Sequence, residues 1–452
     1  MSRPPQLTSW QQHLASRFPD LPSSVVAVLA LYSFGMLLAR VSGLSRVVLF
    51  LATHLGRPRY ALRKRLAEFY KEASAKSGVR HGVKRRDLDV TLCFSPLLRW
   101  LLSLWSGRCL PLALDVTNLG DRFHVLCISV VVRGIGLPVA WEILPGGIKD
   151  PWNPHWQALL SRLRPAVPDD WTVIVLSDRG LESPELFRFV AGLGWHPLMR
   201  VKKGGKFRPT GWGRFYGLGV LPRRPGVALE GLAYVGERLP CTLLARWDEG
   251  HAEAWLLLTD LPPEAASAVW YAFRAWIEQG FKVIKGGGWD WQNTRMQDPG
   301  RVGRLWLVMA VATVWTTALG AEEEQRERDE AERKRLERDL QQSQQQARAR
   351  QQQQQRRLQK LREALSARRA QQQQRQAARQ ASRTSPPRPR VRAAKVPTLR
   401  LDRVDRRGLA VLEALWQEGK NRLPQQLHPE PWPQPSHTAS ALTEQEFLSW
   451  QT

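Results

Sequence analysis

Ala113–Leu144 reads ALDVTNLGDRFHVLCISVVVRGIGLPVAWEIL, and its two breaks, GDR at 120–122 and RGIG at 133–136, divide it into three apolar runs. Each run is rich in Val, Ile, Leu and aromatic residues and is bounded by turn formers. Three consecutive strands are therefore expected, at Leu112–Val116, Phe123–Val132 and Leu137–Leu144. Beyond them Pro154–Leu163 suits a helix, Thr172–Ser177 a buried strand, and Pro184–Leu193 a helix with Ser183 as its cap. A further strand is expected at His196–Lys202. Two aspartates each end a short apolar run: Asp115 on the first strand, Asp178 closing the fourth.

Three strands, helix, strand, helix, with carboxylates in those two places, is the layout of an RNase H-like α/β domain. We expect it in two parts, 106–202 and 259–320, separated by a β-rich insertion at 203–258, where Gly and Pro are frequent and short alternating runs appear. Residues 1–105 read as a mostly helical N-terminal domain. Within it, VLFLATHLGRPRYALRKRL (48–66) resembles a helix-turn-helix, with Gly56 at the turn, Pro58 starting the second helix and Arg59, Arg63, Lys64 and Arg65 on or beside it. An amphipathic pair with a solvated basic face fits the same residues. Residues 321–400 turn abruptly to Glu, Arg and Gln. Leu336, Leu340, Leu358, Leu361 and Leu365 are too sparse for a sustained heptad, so this low-complexity basic tail reads as a solvated helix losing its order towards SPPRPRVRAAKVP. Residues 401–452 hold one short helical segment, LAVLEALWQEG, and a Pro-rich end.

The 452 residues carry a net charge of +26. Such an excess favours a polyanionic partner, because phosphate backbones release counterions when basic side chains neutralise them. About half of it falls in 321–400 and the rest is spread through the body of the chain. Cys93, Cys109, Cys127 and Cys241 form no CxxC pair, which gives neither a zinc site nor a disulfide framework and suits a reducing cytoplasm. MSRPPQLTSW lacks a signal-peptide plan. Val25–Ala39 and Leu305–Leu319 fall short of the ~20 residues that span a bilayer, and both read as buried core helices. No membrane partner is expected.

The chemistry is read from three carboxylates, Asp115, Asp178 and Glu278, the last in a helical pattern within YAFRAWIEQGFKVIK (271–285). Carboxylates of this kind can bind a pair of Mg²⁺ ions, with Mn²⁺ as a substitute, for cutting and rejoining phosphodiesters. Taken singly, Asp115 could open the TNLG turn, Asp178 could open the DRG turn, and Glu278 could be an exposed helix charge. Asp121, Glu142 and Asp290 are set aside as turn, strand and loop acids. No His-carboxylate or HxxxH constellation points to nucleophilic or zinc chemistry.

Tyr271, Arg274, Glu278 and Lys285 are spaced as Tyr-x2-Arg-x3-Glu-x6-Lys, and with the two aspartate regions they make Leu112 to Gly320 resemble the DDE transposases. The branch is that of the bacterial insertion sequences called IS-four, which includes the transposon-five transposase. The resemblance implies metal ligation by Asp115, Asp178 and Glu278, and DNA-end contacts by Tyr271, Arg274 and Lys285. Lys282, four residues after Glu278 and on the same helical face, looks like a second basic residue some members use. Trp255 matches the tryptophan that receives a flipped base in the transposon-five branch, although a packing role fits an indole equally. The function so implied is cut-and-paste transposition of double-stranded DNA, by a homodimer on paired ends, through a hairpin intermediate, in the bacterial cytoplasm. Another RNase H-like nuclease and a non-catalytic, transposase-derived DNA-binding protein are the rival readings.

Overall fold

The three expected strands form, and the first is longer than its apolar run. β1 spans Cys109–Leu119, β2 Phe123–Val132 and β3 Ile135–Pro145. The β1–β2 ladder continues through Thr117↔Val125 and Asn118↔His124 to Leu119↔Phe123, and Gly120 then turns the chain at φ 52°. Asp115 thus lies inside β1, opposite Cys127, and does not open a TNLG turn. Thr117 and Asn118 are polar but keep the strand going, because only Gly120 offers the positive φ a tight turn needs. The computed structural model describes residues 4–76, 87–148, 151–220, 227–247, 253–374, 404–420 and 422–433.

β4 (Thr172–Ser177) and β5 (His196–Arg200) add parallel strands beside β1. Their crossovers run through α6 (Asn153–Leu163) and α7 (Pro184–Gly192). Ser183 caps the latter by accepting from the Leu186 amide at 3.1 Å. The next segment supplies β6 (Lys206–Pro209), β7 (Tyr216–Gly217), β8 (Val227–Ala233), β9 (Leu239–Arg246) and β10 (Trp255–Thr259). β10 pairs antiparallel with β5, so these strands prolong the same sheet. The ten strands run β3-β2-β1-β4-β5-β10-β9-β8-β6-β7.

The N-terminal helices are α1 (Pro5–Arg17), α2 (Ser23–Ala39), α3 (Leu44–Leu55), α4 (Arg59–Tyr70) and α5 (Phe94–Leu104), labelled in chain order ahead of those above. Gly56 ends α3 in the left-handed conformation (φ 59°), and Leu51, Leu62 and Leu66 are buried between the helices. The signature region begins in a 3₁₀ helix (Ala268–Ala275), continues as α8 (Trp276–Lys282) and ends in a π turn (Val283–Gly287).

α9 (Pro299–Gln374) follows; its one 18-residue window apolar enough for a membrane is wholly buried in the fold. α2 is buried along Leu29–Leu37. The Trp10 ring stacks on Trp315 at 3.7 Å between ring centres, joining the N-terminal helices to α9.

Two units divide the chain, Met1–Glu323 with Arg403–Thr452, and Glu324–Asp402. In the second, α9 is exposed to solvent over residues 326–364 and carries i,i+4 pairs such as Lys334–Glu330 at 2.6 Å, worth only a few tenths of a kcal/mol each. In the first, α10 (Val404–Gln417) docks where α9 passes Gly320: a Cβ on Gly320 would sit 1.8 Å from the Val404 carbonyl oxygen. Residues 320 and 404 are therefore neighbours, and a short Gly/Ser linker can replace Glu324–Asp402. That deletion removes 22 basic and 9 acidic residues, half of the net +26. Melting of the remaining chain should be nearly unchanged, and log affinity for duplex DNA should fall less steeply with log salt. An unchanged slope would show that this unit makes no contact with DNA.

Candidate active site

Parallel pairing brings the two aspartates together. The last matched rows are Leu114↔Ser177 between β1 and β4 and Ser177↔Met199 between β4 and β5, so the next row holds Asp115, Asp178 and Arg200 side by side. Ligand sites in α/β sheets gather at the carboxyl ends of parallel strands, as here. Asp115 Oδ1 accepts from the Val116 amide at 2.8 Å, which leaves Oδ2 to face inward. Asp178 Oδ1 accepts from the Gly180 amide at 2.6 Å, so the residue does cap the DRG turn, and its other oxygen points to the same place.

Both free oxygens meet Arg274. Its Nη2 lies 2.8 Å from Asp115 Oδ2 and 3.4 Å from Asp178 Oδ2, and its Nη1 lies 3.2 Å from Glu278 Oε1. Side-chain exposure rises from 14% at Arg274 and 17% at Asp115 to 36% at Asp178 and 54% at Glu278, so the cluster opens to solvent on the Glu278 side. Burial raises the Asp115 carboxyl above its usual range, with Asp178 and Glu278 adding to the effect and Arg274 opposing it. Three carboxylates at such distances repel, and the guanidinium between them offsets that repulsion.

Glu278 arrives by a close backbone contact. A Cβ on Gly280 would sit 2.2 Å from the Gly136 carbonyl oxygen, and one on Gly136 would sit 2.7 Å from the Ile277 Cα. Two glycines thus let α8 lie directly on the β2–β3 hairpin. Upstream, Ser267 Oγ starts the 3₁₀ helix by accepting from the Val269 amide at 3.4 Å. The π turn after α8 then places Lys285 at the rim, where desolvation lowers its pKa, while Lys282 is exposed.

Tyr271 is buried, with Arg200 beside its oxygen and no acceptor for its hydroxyl proton among the described residues. Burial holds its pKa at about 12 against the opposing pull of Arg274 and Arg200, so it stays a phenol able to donate. Trp255 meets the Tyr271 ring edge-on at 5.3 Å, half-buried at the head of β10. Asp115, Asp178, Arg274 and Glu278 are therefore one constellation, with Tyr271 and Trp255 beside it and Lys282 and Lys285 on its helix. Of the acids set aside, Glu142 pairs with His155 at 3.0 Å and Asp290 accepts from Asn293 at 2.7 Å.

The donor set is all oxygen, as a hard divalent cation prefers. Among the described residues no three His, Cys, Asp or Glu side chains are gathered at ligating spacing; the cation their carboxylates share is Arg274. The chemistry of the donor set suits a divalent ion, and the Arg274 guanidinium holds the place between the carboxylates. The four cysteines are free, and burial pushes each thiol up to about 12, so none is a thiolate ligand at neutral pH.

Sequence reasoning missed two features. Arg179, Arg200 and Lys203 gather around Glu253 beside the aspartates; counting register across the parallel strands could have found Arg200. The C-terminal segment also reaches the site. Leu427 bridges to Trp105, Arg133 donates to the His428 carbonyl at 2.6 Å, and Trp432 packs edge-on against Trp270 and Phe273, which flank Tyr271 in the 3₁₀ helix. No periodic signal in that Pro-rich stretch announces this path.

Residues 120–315 match the family described as Transposase DDE domain, a span that takes in Asp178, Arg274 and Glu278 and begins just after Asp115. The match supports a DDE transposase. No curated protein matches the chain. Among solved structures, the piggyBac transposase synaptic complex with hairpin DNA is similar at a TM-score of 0.34 and 12% identity, over 68% of this chain and 73% of that one. So loose a likeness adds nothing to the fold described above.

Proposed function

We propose, from a chain whose residues 120–315 match a transposase DDE domain, that it is the cut-and-paste transposase of an IS-four type insertion sequence. The observation that carries the reading is the convergence of Asp115, Asp178 and Glu278, from three separate parts of the chain, on one guanidinium. Its partners would be the element's double-stranded terminal inverted repeats and a target duplex, paired by a homodimer on the nucleoid of the bacterial cytoplasm. When bound, a pair of Mg²⁺ ions supplies an activated water and stabilises the leaving oxygen; Mn²⁺ would substitute.

The chain's own residues position that chemistry. Asp115, rigid in mid-strand, would be the shared ligand, with Asp178 holding one ion and Glu278 the other. Arg274 would leave the carboxylates for a phosphate at the cut end, which suits its forked donors, and Lys285 and Lys282 would add point charges. The Tyr271 phenol would donate to a phosphate oxygen. Trp255, beside it, would stack a base turned out of the duplex.

The test is a time course with purified protein, Mg²⁺ and end-labelled duplexes carrying the inverted repeats that flank its own coding sequence. Nicked, hairpin and resolved species are scored separately. Arg274→Ala should impair hairpin formation roughly tenfold more than the first nick, because bending the end crowds phosphates whose repulsion only nearby cations offset. Trp255→Ala should share that defect. Equal loss of all three species would reduce Arg274 to general binding, and absence of cutting by the wild-type chain would refute the transposase reading.

A further inference from the structure

Next to the carboxylates lies a second charge cluster of opposite sense. Glu253, just ahead of β10, faces Arg179 at 2.8 Å, Lys203 at 3.4 Å and Arg200 at 3.5 Å. One acid among three cations leaves a net positive site. Arg179 follows Asp178 directly, and Arg200 continues the row formed by Asp115 and Asp178. Arg200 lies within hydrogen-bonding reach of the buried Tyr271 oxygen, and the phenol's own proton meets no acceptor among the described residues. A buried donor left unsatisfied is costly, and its presence marks a place where an acceptor is expected.

The geometry points to a DNA-phosphate site built by Arg179, Arg200 and Lys203 and completed by the Tyr271 hydroxyl, with Glu253 as an internal carboxylate that a backbone phosphate displaces. The inference rests on the transposase reading for its ligand and deepens it by naming residues outside the Tyr-Arg-Glu-Lys signature. A carboxylate and a phosphodiester are both compact anions with two oxygens for guanidinium donors, so one can replace the other on the same cations. The exchange costs little, because Glu253 and its partners are partly exposed and such pairs are individually weak. Glu253 would then act as a tuner of affinity: it keeps the cations ordered and makes a duplex compete for them.

The experiment measures binding of a fluorescein-labelled 30-base-pair duplex of arbitrary sequence by anisotropy, in EDTA, across a range of NaCl. Glu253→Gln should bind more tightly with a steeper salt slope. One additional neutralised phosphate adds about 0.9 to the slope, roughly a fivefold gain near 0.15 M salt. Glu237→Gln, which removes an equal charge paired with Arg188 elsewhere on the surface, should leave affinity within about twofold. The gain from Glu253→Gln should vanish in a Lys203→Gln background, and in Arg200→Gln should that chain melt normally.

A Glu253→Gln affinity no greater than that of Glu237→Gln overturns the site. So does a gain that survives loss of Lys203, or no measurable duplex binding by any chain. The result is independent of cleavage. If the wild-type chain cuts nothing while Glu253→Gln tightens binding as stated, the phosphate site stands and the transposase reading falls.

Discussion

Asp115→Asn, Asp178→Asn and Glu278→Gln each abolish strand cleavage in the expected outcome, slowing it by about 10³-fold or more, while duplex binding stays within about threefold. The reasoning is one of division of labour. Loss of a metal ligand removes transition-state stabilisation of several kcal/mol, and each ~1.4 kcal/mol is a factor of ten in rate. Affinity comes mainly from basic surface, which these changes leave in place. The amide replacements keep side-chain volume, and Arg274 retains two of its three carboxylate partners in every single variant. Asp178→Asn also keeps a carbonyl oxygen for the Gly180 amide, so the DRG turn should survive. The measurement pairs single-turnover cleavage of end duplexes in Mg²⁺ with anisotropy in EDTA. Wild-type cutting by any one variant removes that residue from the ligand set, and cutting by all three refutes the carboxylate mechanism.

Gly408→Ala should be the most damaging small substitution away from the site. Its Cβ would sit 1.6 Å from the Thr316 carbonyl oxygen, and no side-chain rotation relieves a clash with backbone. α10 must then lift from α9. With it go the Arg40–Glu413 ion pair, the packing of Trp416 on Phe34, and the hold of Glu322 on the Gln426 amide at 2.7 Å. Overpacking of this kind costs about 3 kcal/mol, which for a chain of this size lowers Tm by roughly 3–4 °C. The consequence reaches the site, because the same C-terminal segment places Trp432 against Trp270 and Phe273. Calorimetry and limited proteolysis after the basic residues of 404–422 measure the loss. An unchanged Tm would show that the glycine contact does not carry the docking. Trp432→Ala separates the two effects: slower hairpin formation at nearly wild-type Tm would assign the tryptophan to positioning Tyr271 and Arg274.

The elements of residues 106–202 were legible because their signals are local. Phe123–Val132 and Thr172–Ser177 form with the expected bounds, since a short, mostly apolar run rich in β-branched residues between turn formers has few other choices. The carboxylates were legible for a similar reason: acids at the margins of apolar runs stand out, and the Tyr271 to Lys285 spacing lies within one short stretch. Local pattern misplaced Asp115 at a strand end. Strand length is decided by pairing, and the partner β2 carries β1 on to Gly120.

Tertiary structure alone decided what those acids face. No spacing places Arg274 within 3.4 Å of Asp115, Asp178 and Glu278 together, for that depends on parallel register and on two glycines, Gly136 and Gly280, letting a helix touch a hairpin. The same holds for Arg200, which joins the aspartates only by sheet order, and for Leu423–Pro433, whose path is fixed by single long-range contacts with Trp105, Arg133 and Trp270. Sequence by itself determined the strands, the helices and the candidate chemistry, because hydrophobic periodicity and turn chemistry act over a few residues. The register between distant strands and the burial of one charge among three others are properties of packing, and only the folded chain decides them.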